Sequence, residues 1–373
     1  MMKDRSFFQE KRHWSKIKDQ VLSSYMPAYL SKVNKLGKPI ILVDAFAGPG
    51  KYGDGERGSP HIICEAAEKL VPGKYIAIFV NSKQEHHDRL SADMDSLIKQ
   101  GRVITILGKA EDLLGKLRSI LNDQTLFIYL DPFGLRGCEF KMIEPFLKRD
   151  KRFSTEIVIN LSVPIMHRLA ARNAISEKAG ITDRVKVFHE TLSRVLGGDY
   201  WKEIMWEEGS SPDERAETVL ANYRKVLHNC GAEYSGSCPV KEKTGSRIKY
   251  YITFCSRHPD ALLLMNDAMC AAYHQRTHEA ETQGTLFEGS DWRGQHNINE
   301  LEDIVCREVE TKPGRSRLEI WRAIVQGHFM RYLKSEYRLK VDELCSKGIL
   351  KFEDVKGTGR LNDGAPLLPG DKK

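Results

Sequence analysis

One segment, residues 40–50, constrains the fold of this chain more than any other. Four apolar residues lead directly into Asp44, and a turn with two glycines, Gly48 and Gly50, follows. An uninterrupted apolar run of this length is typical of a strand buried on both faces, as in the centre of a parallel sheet. Glycines after such a strand allow a tight turn and let backbone N–H groups approach a ligand. The segment therefore predicts a nucleotide-like ligand at the carboxyl end of a doubly wound sheet.

The other strand candidates alternate with helices, and this order defines the expected fold class. Between the first two strands, Ser59 is a candidate N-cap and Pro60 a candidate first residue of a helix. Such alternation predicts an α/β fold with a parallel sheet. Two later runs flank a turn with a glycine and predict a β-hairpin. The strands are expected over residues 40–44, 75–80, 102–107, 126–130 and 157–161, and the hairpin over 232–241 and 247–255.

Length and composition narrow the class of protein. With 373 residues the chain is long enough for two domains. No apolar run reaches the ~18 residues of a membrane helix, and no apolar segment follows the N-terminus as in a secretory signal. We therefore expect a cytoplasmic protein without membrane contact. The eight cysteines are scattered without a Cys-x-x-Cys pair, so we expect reduced thiols and no metal site.

The net charge of +7 is concentrated at two ends of the chain. Residues 1–38 hold nine Lys/Arg and three Asp/Glu, and residues 312–360 hold twelve and six, so each end carries +6 and the rest carries −5. Two basic ends on an acidic middle favour contact with a polyanion, and we expect nucleic acid, DNA or RNA, as a partner. The alternative is that these residues form ordinary solvated surfaces.

The C-terminal part predicts a small helical module with a wing. Amphipathic patterns predict helices around residues 301–309, 318–326 and 330–344, and residues 349–360 can form a hairpin. Three short helices with a wing resemble a winged helix-turn-helix domain, which often binds DNA but in many proteins serves only as a protein–protein contact. The third helix carries the candidate nucleic-acid-binding residues Arg331, Lys334 and Arg338 on one face.

These patterns together predict four parts along the chain. A polar stretch rich in Gly, Gln, His and Glu is interpreted as a linker before the helical module. No internal repeats are apparent in the sequence. The expected parts are a basic helical extension at 1–38, a Rossmann-like domain at 39–275, the linker at 276–298 and a winged helix at 299–365.

The residues around the glycine turn distinguish between two kinds of nucleotide-like cofactor. They match the loop of S-adenosylmethionine (SAM) methyltransferases, which runs acidic-x-Phe-x-Gly-x-Gly. Gly48, Gly50 and Gly53 also have the Gly-x-Gly-x-x-Gly spacing of a dinucleotide fingerprint, so the acidic-x-Phe residues before them, and not the glycines, make a dehydrogenase the disfavoured alternative. Asp44 would face the methionyl amino group of SAM. The candidate cofactor-binding residues of this loop are Asp44, Phe46, Ala47, Gly48, Pro49 and Gly50.

A second motif, Asp131-Pro132-Phe133-Gly134, follows another buried strand. Amino-methyltransferases keep an Asp/Asn-Pro-Pro-aromatic motif at this place. Asp131 and the carbonyl of Pro132 can accept hydrogen bonds from an exocyclic amine, and Phe133 can stack on the base. The motif also resembles that of tRNA guanine-N2 methyltransferases. The alternative is that Asp131-Pro132 only ends a strand and Phe133 packs in the core.

Two positions depart from the methyltransferase pattern. The second strand of such proteins usually ends in an acidic residue that binds the ribose hydroxyls, and here it ends at Asn81. The third strand is usually followed by Gly-Asp-Ala, and here Lys109 replaces the acid, with Ala110 and Glu111 after it. We expect Asn81, Ala110 and Glu111 to contact the nucleoside part of the cofactor. Losing two acidic contacts weakens affinity, so a degenerate site is a second possibility.

These motifs, with the segment Asn160-Leu161-Ser162, resemble the three-Cys-motif partner family over about residues 8 to 365. The family combines a Rossmann-like methyltransferase-type domain with a winged helix and occurs in bacteria and phages. Its name comes from a neighbouring gene for a three-cysteine, radical-SAM-like protein, so the resemblance implies that protein as a partner.

Two main hypotheses about function follow. The first is a SAM-dependent N-methyltransferase that acts on a nucleic-acid base. The second is a catalytically degenerate scaffold that binds nucleic acid and docks the three-cysteine protein, with a role in mobile-element or phage-defence biology. A small-molecule methyltransferase is a third, less favoured reading.

Overall fold

The structure is a computed structural model that describes residues 13–171, 180–241, 245–354, 357 and 360–370. It divides into two compact units, Met1–Ala261 and Leu262–Lys373. Among the described residues, none of the helices combines the length and the apolar character that crossing a membrane requires.

The first unit is built on a seven-stranded sheet with the order β3-β2-β1-β4-β5-β7-β6. Strands β1 to β5 run parallel, and β7 pairs antiparallel with both β5 and β6. The sequence predicts every one of these strands to within two residues at either end. The strands are β1 (Ile40–Asp44), β2 (Tyr75–Asn81), β3 (Val103–Leu107), β4 (Thr125–Leu130), β5 (Thr155–Ser162), β6 (Tyr234–Lys241) and β7 (Ile248–Ser256).

This sheet confirms the predicted fold class, a Rossmann-like methyltransferase-type sheet closed by a C-terminal hairpin. Strands β1, β4 and β5 are buried along their whole length, as their apolar runs predict. The helices of this unit are α1 (His13–Val33), α2 (Ser59–Leu70), α3 (Gln84–Asp93), α4 (Asp95–Lys99), α5 (Ala110–Ile120), α6 (Phe140–Leu147), α7 (Val163–Leu169), α8 (Gly180–Leu196), α9 (Trp201–Met205) and α10 (Pro212–Asn229).

Helix α1 shows that the basic N-terminal segment is part of the core. Ile17, Val21, Tyr25 and Tyr29 are buried on one helical face, and the Tyr25 hydroxyl donates a hydrogen bond to the carboxyl group of Glu156. Three basic residues of the segment pair within the protein: Lys18 and Lys32 of α1 with Asp131 and Asp260, and Lys38, after the helix, with Asp123. Residues 1–12 of the predicted extension lie outside the described residues.

From residue 301 onward, the described part of the C-terminal unit consists of three α-helices and a two-stranded sheet. They are α12 (Leu301–Thr311), α13 (Arg317–Gly327) and α14 (Lys334–Ser346), with β8 (Leu350–Phe352) and β9 (Leu367–Pro369) pairing antiparallel. Before them, helix α11 (Pro259–Thr282) supplies residues from Leu262 onward.

Three sequence expectations for this unit need correction. The predicted linker 276–298 is partly helical, because α11 extends to Thr282 and a 3-10 helix spans Trp292–Gln295. The third helix begins at Lys334, since Met330 has a positive φ of 65° that ends any helical continuation. The strand that pairs with β8 is β9, which lies beyond the predicted wing. Residues 355, 356, 358 and 359 of that wing lie outside the described residues.

Candidate active site

A cavity of about 180 Å³ lies where β1 and β4 end. Its walls come from the loop after β1, the Asp131–Gly134 segment after β4, and three more distant elements: helix α1, the end of β5 and strand β7. Because the carboxyl ends of neighbouring parallel strands meet at one edge of a sheet, the two predicted motifs face the same space. Phe46, Ala47, Gly48, Pro49 and Gly50 all line it, as do Asp131, Pro132 and Phe133.

The glycine loop has the backbone geometry that its sequence predicts. Gly48 and Gly50 have φ values of 65° and 82°, a region that residues with a Cβ rarely adopt. At Gly50 a Cβ would also lie 2.8 Å from Cδ1 of Leu90. The start of the loop is anchored because Ala45 and Ala47 donate N–H bonds to carbonyls of β4 and β2, at 3.1 and 3.0 Å. The glycines are therefore required for the course of the chain around the cavity.

Asp44 lies beneath this loop and does not line the cavity. Its Oδ1 accepts the N–H of Phe46 at 3.0 Å, and its Oδ2 accepts the hydroxyl of Ser59 at 2.6 Å. Burial raises the pKa of Asp44 to about 7, although both hydrogen bonds oppose the rise. Ser59 is thus the first residue of α2 and a support for Asp44; the helix cap that the sequence predicts there is at Gly58. In this structure Asp44 holds the loop in place.

Asp131 forms an ion pair that the sequence does not reveal. Lys18 of α1 donates to its Oδ2 at 2.5 Å, with 7% of the Lys18 side chain and 25% of the Asp131 side chain exposed. The Lys18 ammonium also lies 5.1 Å from the centre of the Tyr250 ring. Burial lowers the pKa of Lys18, but Asp131, Tyr250 and Asp19 together raise it by more, so the pKa lies above its ordinary value and the lysine is charged. The pair fixes the Asp131 carboxylate at the cavity wall.

The two residues after Asp131 have different environments. Pro132 is buried, and its carbonyl accepts the N–H of Gly134 at 2.8 Å. A carbonyl oxygen has two lone pairs, so one acceptor position on Pro132 remains beyond this bond. The Phe133 side chain is 66% exposed. It therefore does not pack in the core and lies at the wall of the cavity.

The predicted nucleoside contacts lie away from this cavity. Asn81, Ala110 and Glu111 are not part of its lining. Asn81 is buried at the end of β2, and its Nδ2 has no hydrogen-bond partner among the described residues. Ala110 is buried at the start of α5, Glu111 is half-buried, and Lys109 is exposed. The structure thus assembles the methionine-side motifs and leaves the nucleoside-side residues apart.

The lining residues from outside the segments after β1 and β4 are Lys18, Asp19, Ser162, Ile165 and Tyr250, and only Ser162 belongs to a motif of the sequence, Asn160-Leu161-Ser162. Ser162 ends β5 and lies opposite Tyr250 of β7 in the antiparallel register. The predicted strands place both residues: Tyr250 lies in the predicted hairpin strand 247–255, and Ser162 directly follows the predicted strand 157–161. Lys18 lies 113 positions from Asp131, and no local pattern connects them.

The predicted nucleic-acid-binding residues all have acidic partners inside the C-terminal unit. Lys334 and Arg338 both pair with Asp363, at 2.8 and 2.6 Å, and Arg331 pairs with Glu300 at 2.6 Å. Lys334 and Arg338 share a face of α14, and Arg331 precedes the helix. A polyanion at this face would have to compete with these carboxylates.

Solved structures similar to this chain include several methyltransferases at low identity. The plantazolicin methyltransferase BamL, in complex with a triazolic desmethylPZN analog and SAH, has 13% identity and a TM-score of 0.35 over 69% of this chain and 91% of that one. The O-methyltransferase from Bacillus cereus, in complex with SAH, has 14% identity and a TM-score of 0.33 over 62% of this chain and 79% of that one. The Methanococcus jannaschii fibrillarin pre-rRNA processing protein has 11% identity and a TM-score of 0.29 over 58% of this chain and 66% of that one. No protein-family model matches the chain, and no curated protein matches its sequence.

Proposed function

We propose that this chain is a SAM-dependent N-methyltransferase that acts on an exocyclic amine of a nucleic-acid base. One observation carries the proposal. The glycine loop after β1 and the Asp131–Phe133 segment after β4 line a single cavity, with the acceptor side chain and the exposed ring on one wall. A cofactor loop and an amine acceptor in the same cavity are what transfer to an amine requires.

The residues present fit part of SAM well and part of it less well. The positive-φ backbone at Gly48 and Gly50 gives a close approach for the methionyl end. The unpartnered Nδ2 of Asn81 is a donor that a ribose hydroxyl can satisfy. The cavity of about 180 Å³ is smaller than the roughly 300 Å³ at which ligand pockets begin, so it accommodates only the part of the ligand near the loop. When bound, SAM supplies an electrophilic methyl group.

The protein's own contribution is to hold and orient the amine. Asp131 Oδ2 is occupied by Lys18, which leaves Oδ1 to accept an N–H of the substrate amine. Accepting that hydrogen directs the nitrogen lone pair away from the carboxylate and toward the loop side of the cavity. The exposed Phe133 ring stacks on the base, worth about 1–3 kcal/mol in such contacts. Lys18 acts as a positioning residue because it restrains Asp131.

Nucleic acid as the substrate, and the three-cysteine protein as a partner, are the finer parts of the proposal. The exposed Phe133 ring and the basic face with Lys334 and Arg338 support a nucleic-acid substrate. The three-cysteine partner is implied by the family resemblance of the two loop motifs.

A second candidate function is a degenerate scaffold that binds nucleic acid without methylating it. The Lys18–Asp131 ion pair favours it, because one oxygen of the proposed acceptor is already occupied. Asn81 and Lys109 favour it as well, since they replace two acidic cofactor contacts. In this case nucleic-acid binding would be independent of SAM.

Transfer of a labelled methyl group from SAM to pooled DNA and RNA tests the proposal. Asp131→Ala should reduce the initial rate by about 100-fold or more, since it removes the acceptor of the amine hydrogen bond. The matched control is Asp123→Ala, at an exposed aspartate at the other end of β4, which should leave the rate unchanged. Binding of S-adenosylhomocysteine should persist in both variants. Equal rates in Asp131→Ala and the unaltered protein would remove Asp131 from the account, and SAM binding without any transfer would favour the scaffold.

A further inference from the structure

A cluster of metal-binding side chains lies in the C-terminal unit, outside the cavity described above. Cys270 and His274 are four positions apart on α11, so both lie on one helical face. His296 follows the 3-10 helix and joins them. One potential ligand atom from each residue lies within 4.8 Å of the other two. The cluster thus combines a thiol and two imidazoles, the donors that zinc prefers.

A carboxylate fixes the orientation of His296. Its Nδ1 lies 2.6 Å from Oε1 of Glu336, and the two side chains are 5% and 12% exposed. The other oxygen of Glu336 accepts the N–H of Leu333 at 2.7 Å, so the carboxylate is itself held by the start of α14. A histidine that donates one N–H to a carboxylate presents its other nitrogen, here Nε2, to a metal. This arrangement is the usual second layer around zinc-binding histidines.

His274 is oriented in the same manner by the backbone. Its ring is hydrogen-bonded to the backbone of Met330, the single non-glycine residue with positive φ (65°) among the described residues. Asn266 holds this conformation by accepting the N–H of Met330 at 2.7 Å. Strained backbone of this kind costs about 1–3 kcal/mol and persists where the surroundings impose it. Both histidines therefore have one nitrogen engaged and the other available.

The surroundings of the cluster are partly apolar. Cys270 packs with Trp292 and Leu333 in a small buried core. Trp292 also stacks on His274, with ring centres 5.7 Å apart and an interplanar angle of 12°. An apolar shell around a thiol and two imidazoles strengthens binding to a cation. Stacking alone would account for Trp292 and His274, but not for the carboxylate and backbone partners that orient both histidines.

We propose that Cys270, His274 and His296 bind a zinc ion. Tetrahedral zinc ligands lie roughly 3.5 Å apart, so the three side chains need to close by about 1 Å from their present separation. Cys270 binds as the thiolate and releases its proton to solvent. Three protein ligands leave the fourth position to a water molecule or another donor. The ion would connect α11 to the segment before α12 and stabilise the C-terminal unit.

The spacing explains why the sequence does not predict this site. Zinc motifs are usually recognised by closely spaced pairs such as Cys-x-x-Cys, and the chain has none. Here the pair is Cys-x-x-x-His on one helix, and the third ligand comes 22 positions later. Only the fold brings His296 back to α11.

Metal content of the full-length chain tests the proposal. Protein purified without chelators should contain about one zinc per chain by elemental analysis. After removal of the metal, titration with Co²⁺ should give the near-ultraviolet band of a cobalt–thiolate bond. Cys270→Ser should abolish that band, and Glu336→Gln should weaken zinc affinity by about 10–100-fold. The matched controls, Cys306→Ser and His328→Gln in the same unit, should change neither.

The unaltered chain decides the outcome even if a variant fails to fold. Absence of zinc together with absence of a cobalt–thiolate band in the unaltered protein would overturn the proposal. A band that persists in Cys270→Ser would place the thiolate elsewhere and overturn it as well. Loss of zinc should also lower the melting temperature of the C-terminal unit, and rescue by added Zn²⁺ but not Mg²⁺ would support the site.

Discussion

Each unit contains an ion pair at a residue that the sequence marks for function, and the two pairs differ in burial. In the first unit, Lys18 and Asp131 are 7% and 25% exposed. In the second, Lys334, Arg338 and Asp363 are 28%, 47% and 32% exposed. Exposed pairs contribute at most about 1 kcal/mol, whereas removing one partner of a buried pair costs about 3–5 kcal/mol.

This difference in burial gives the two kinds of ion pair different roles. The Lys18–Asp131 pair is shielded from solvent, so it restrains the acceptor carboxylate before any substrate arrives. The Asp363 pairs are close to solvent, so a phosphate can replace the carboxylate at little cost. We therefore expect changes at buried charges to appear mainly in stability and catalysis, and changes at exposed charges mainly in nucleic-acid affinity.

The largest expected effect concerns Glu156, a buried carboxyl group whose partner is the hydroxyl of Tyr25 and not a cation. Burial raises the pKa of Glu156 to about 8. The folded protein then binds more protons than the unfolded chain between the ordinary pKa and pH 8, so Glu156 makes stability fall as pH rises through that window. Glu156→Gln should match the unaltered protein near pH 5 and exceed it by on the order of 4 kcal/mol near pH 8.5.

Urea unfolding at several pH values measures this effect. The control is Glu233→Gln, since Glu233 is exposed and pairs with Lys151. It should show no gain at high pH. Equal stability of Glu156→Gln and the unaltered protein at pH 8.5 would mean that Glu156 is ionised without cost. Burial would then not explain why buried and exposed charges differ in their effect on stability.

The next effect concerns the Lys18–Asp131 pair itself. Asp131→Asn leaves the Lys18 ammonium buried without a counter-charge and should lower the free energy of unfolding by about 3 kcal/mol. Lys18→Met in the same chain should restore most of that loss. Asp123→Asn breaks the matched exposed pair, Lys38–Asp123 at 2.7 Å, and should leave the free energy of unfolding nearly unchanged. A similar loss at both aspartates, measured by urea unfolding, would contradict the distinction.

The smallest effect on stability is expected at the basic face of α14. Lys334→Glu combined with Arg338→Glu should cost no more than about 1 kcal/mol of stability. Nucleic-acid affinity should fall about 10-fold, and the slope of log affinity against log salt should decrease by about 2. Lys340→Glu with Lys347→Glu is the control on the same helix. If both double variants weaken nucleic-acid binding equally in a fluorescence titration, the face with Lys334 and Arg338 is not a specific nucleic-acid site.

The sequence predicts the sheet well because its strands are uninterrupted apolar runs. Strand β1 begins and ends where residues 40–44 place it, and the hairpin that becomes β6 and β7 follows from alternating patterns around a turn. The glycine loop is also predictable, since Gly48 and Gly50 have the positive φ that only glycine adopts readily. These features depend on neighbours along the chain.

Features that depend on distant residues are not predictable in the same way. Residues 1–38 predict a basic helical extension, yet Tyr25 and Tyr29 of this segment are in the core. The partner of Asp131 is 113 positions away. Likewise, Asp363 turns the basic face of α14 into a set of ion pairs. The sequence reveals which side chains are charged or reactive, and only the fold reveals which of them already have a partner within the protein.

Calorimetric binding of SAM and S-adenosylhomocysteine to the purified chain tests the central claim most directly. We predict micromolar dissociation constants, weakened at least ~100-fold in Asp44→Ala because the loop loses the bonds to Phe46 and Ser59. Asp123→Ala should bind like the unaltered protein. No heat of binding at millimolar cofactor would contradict a cofactor site at the end of β1 and would leave the scaffold function as the better account.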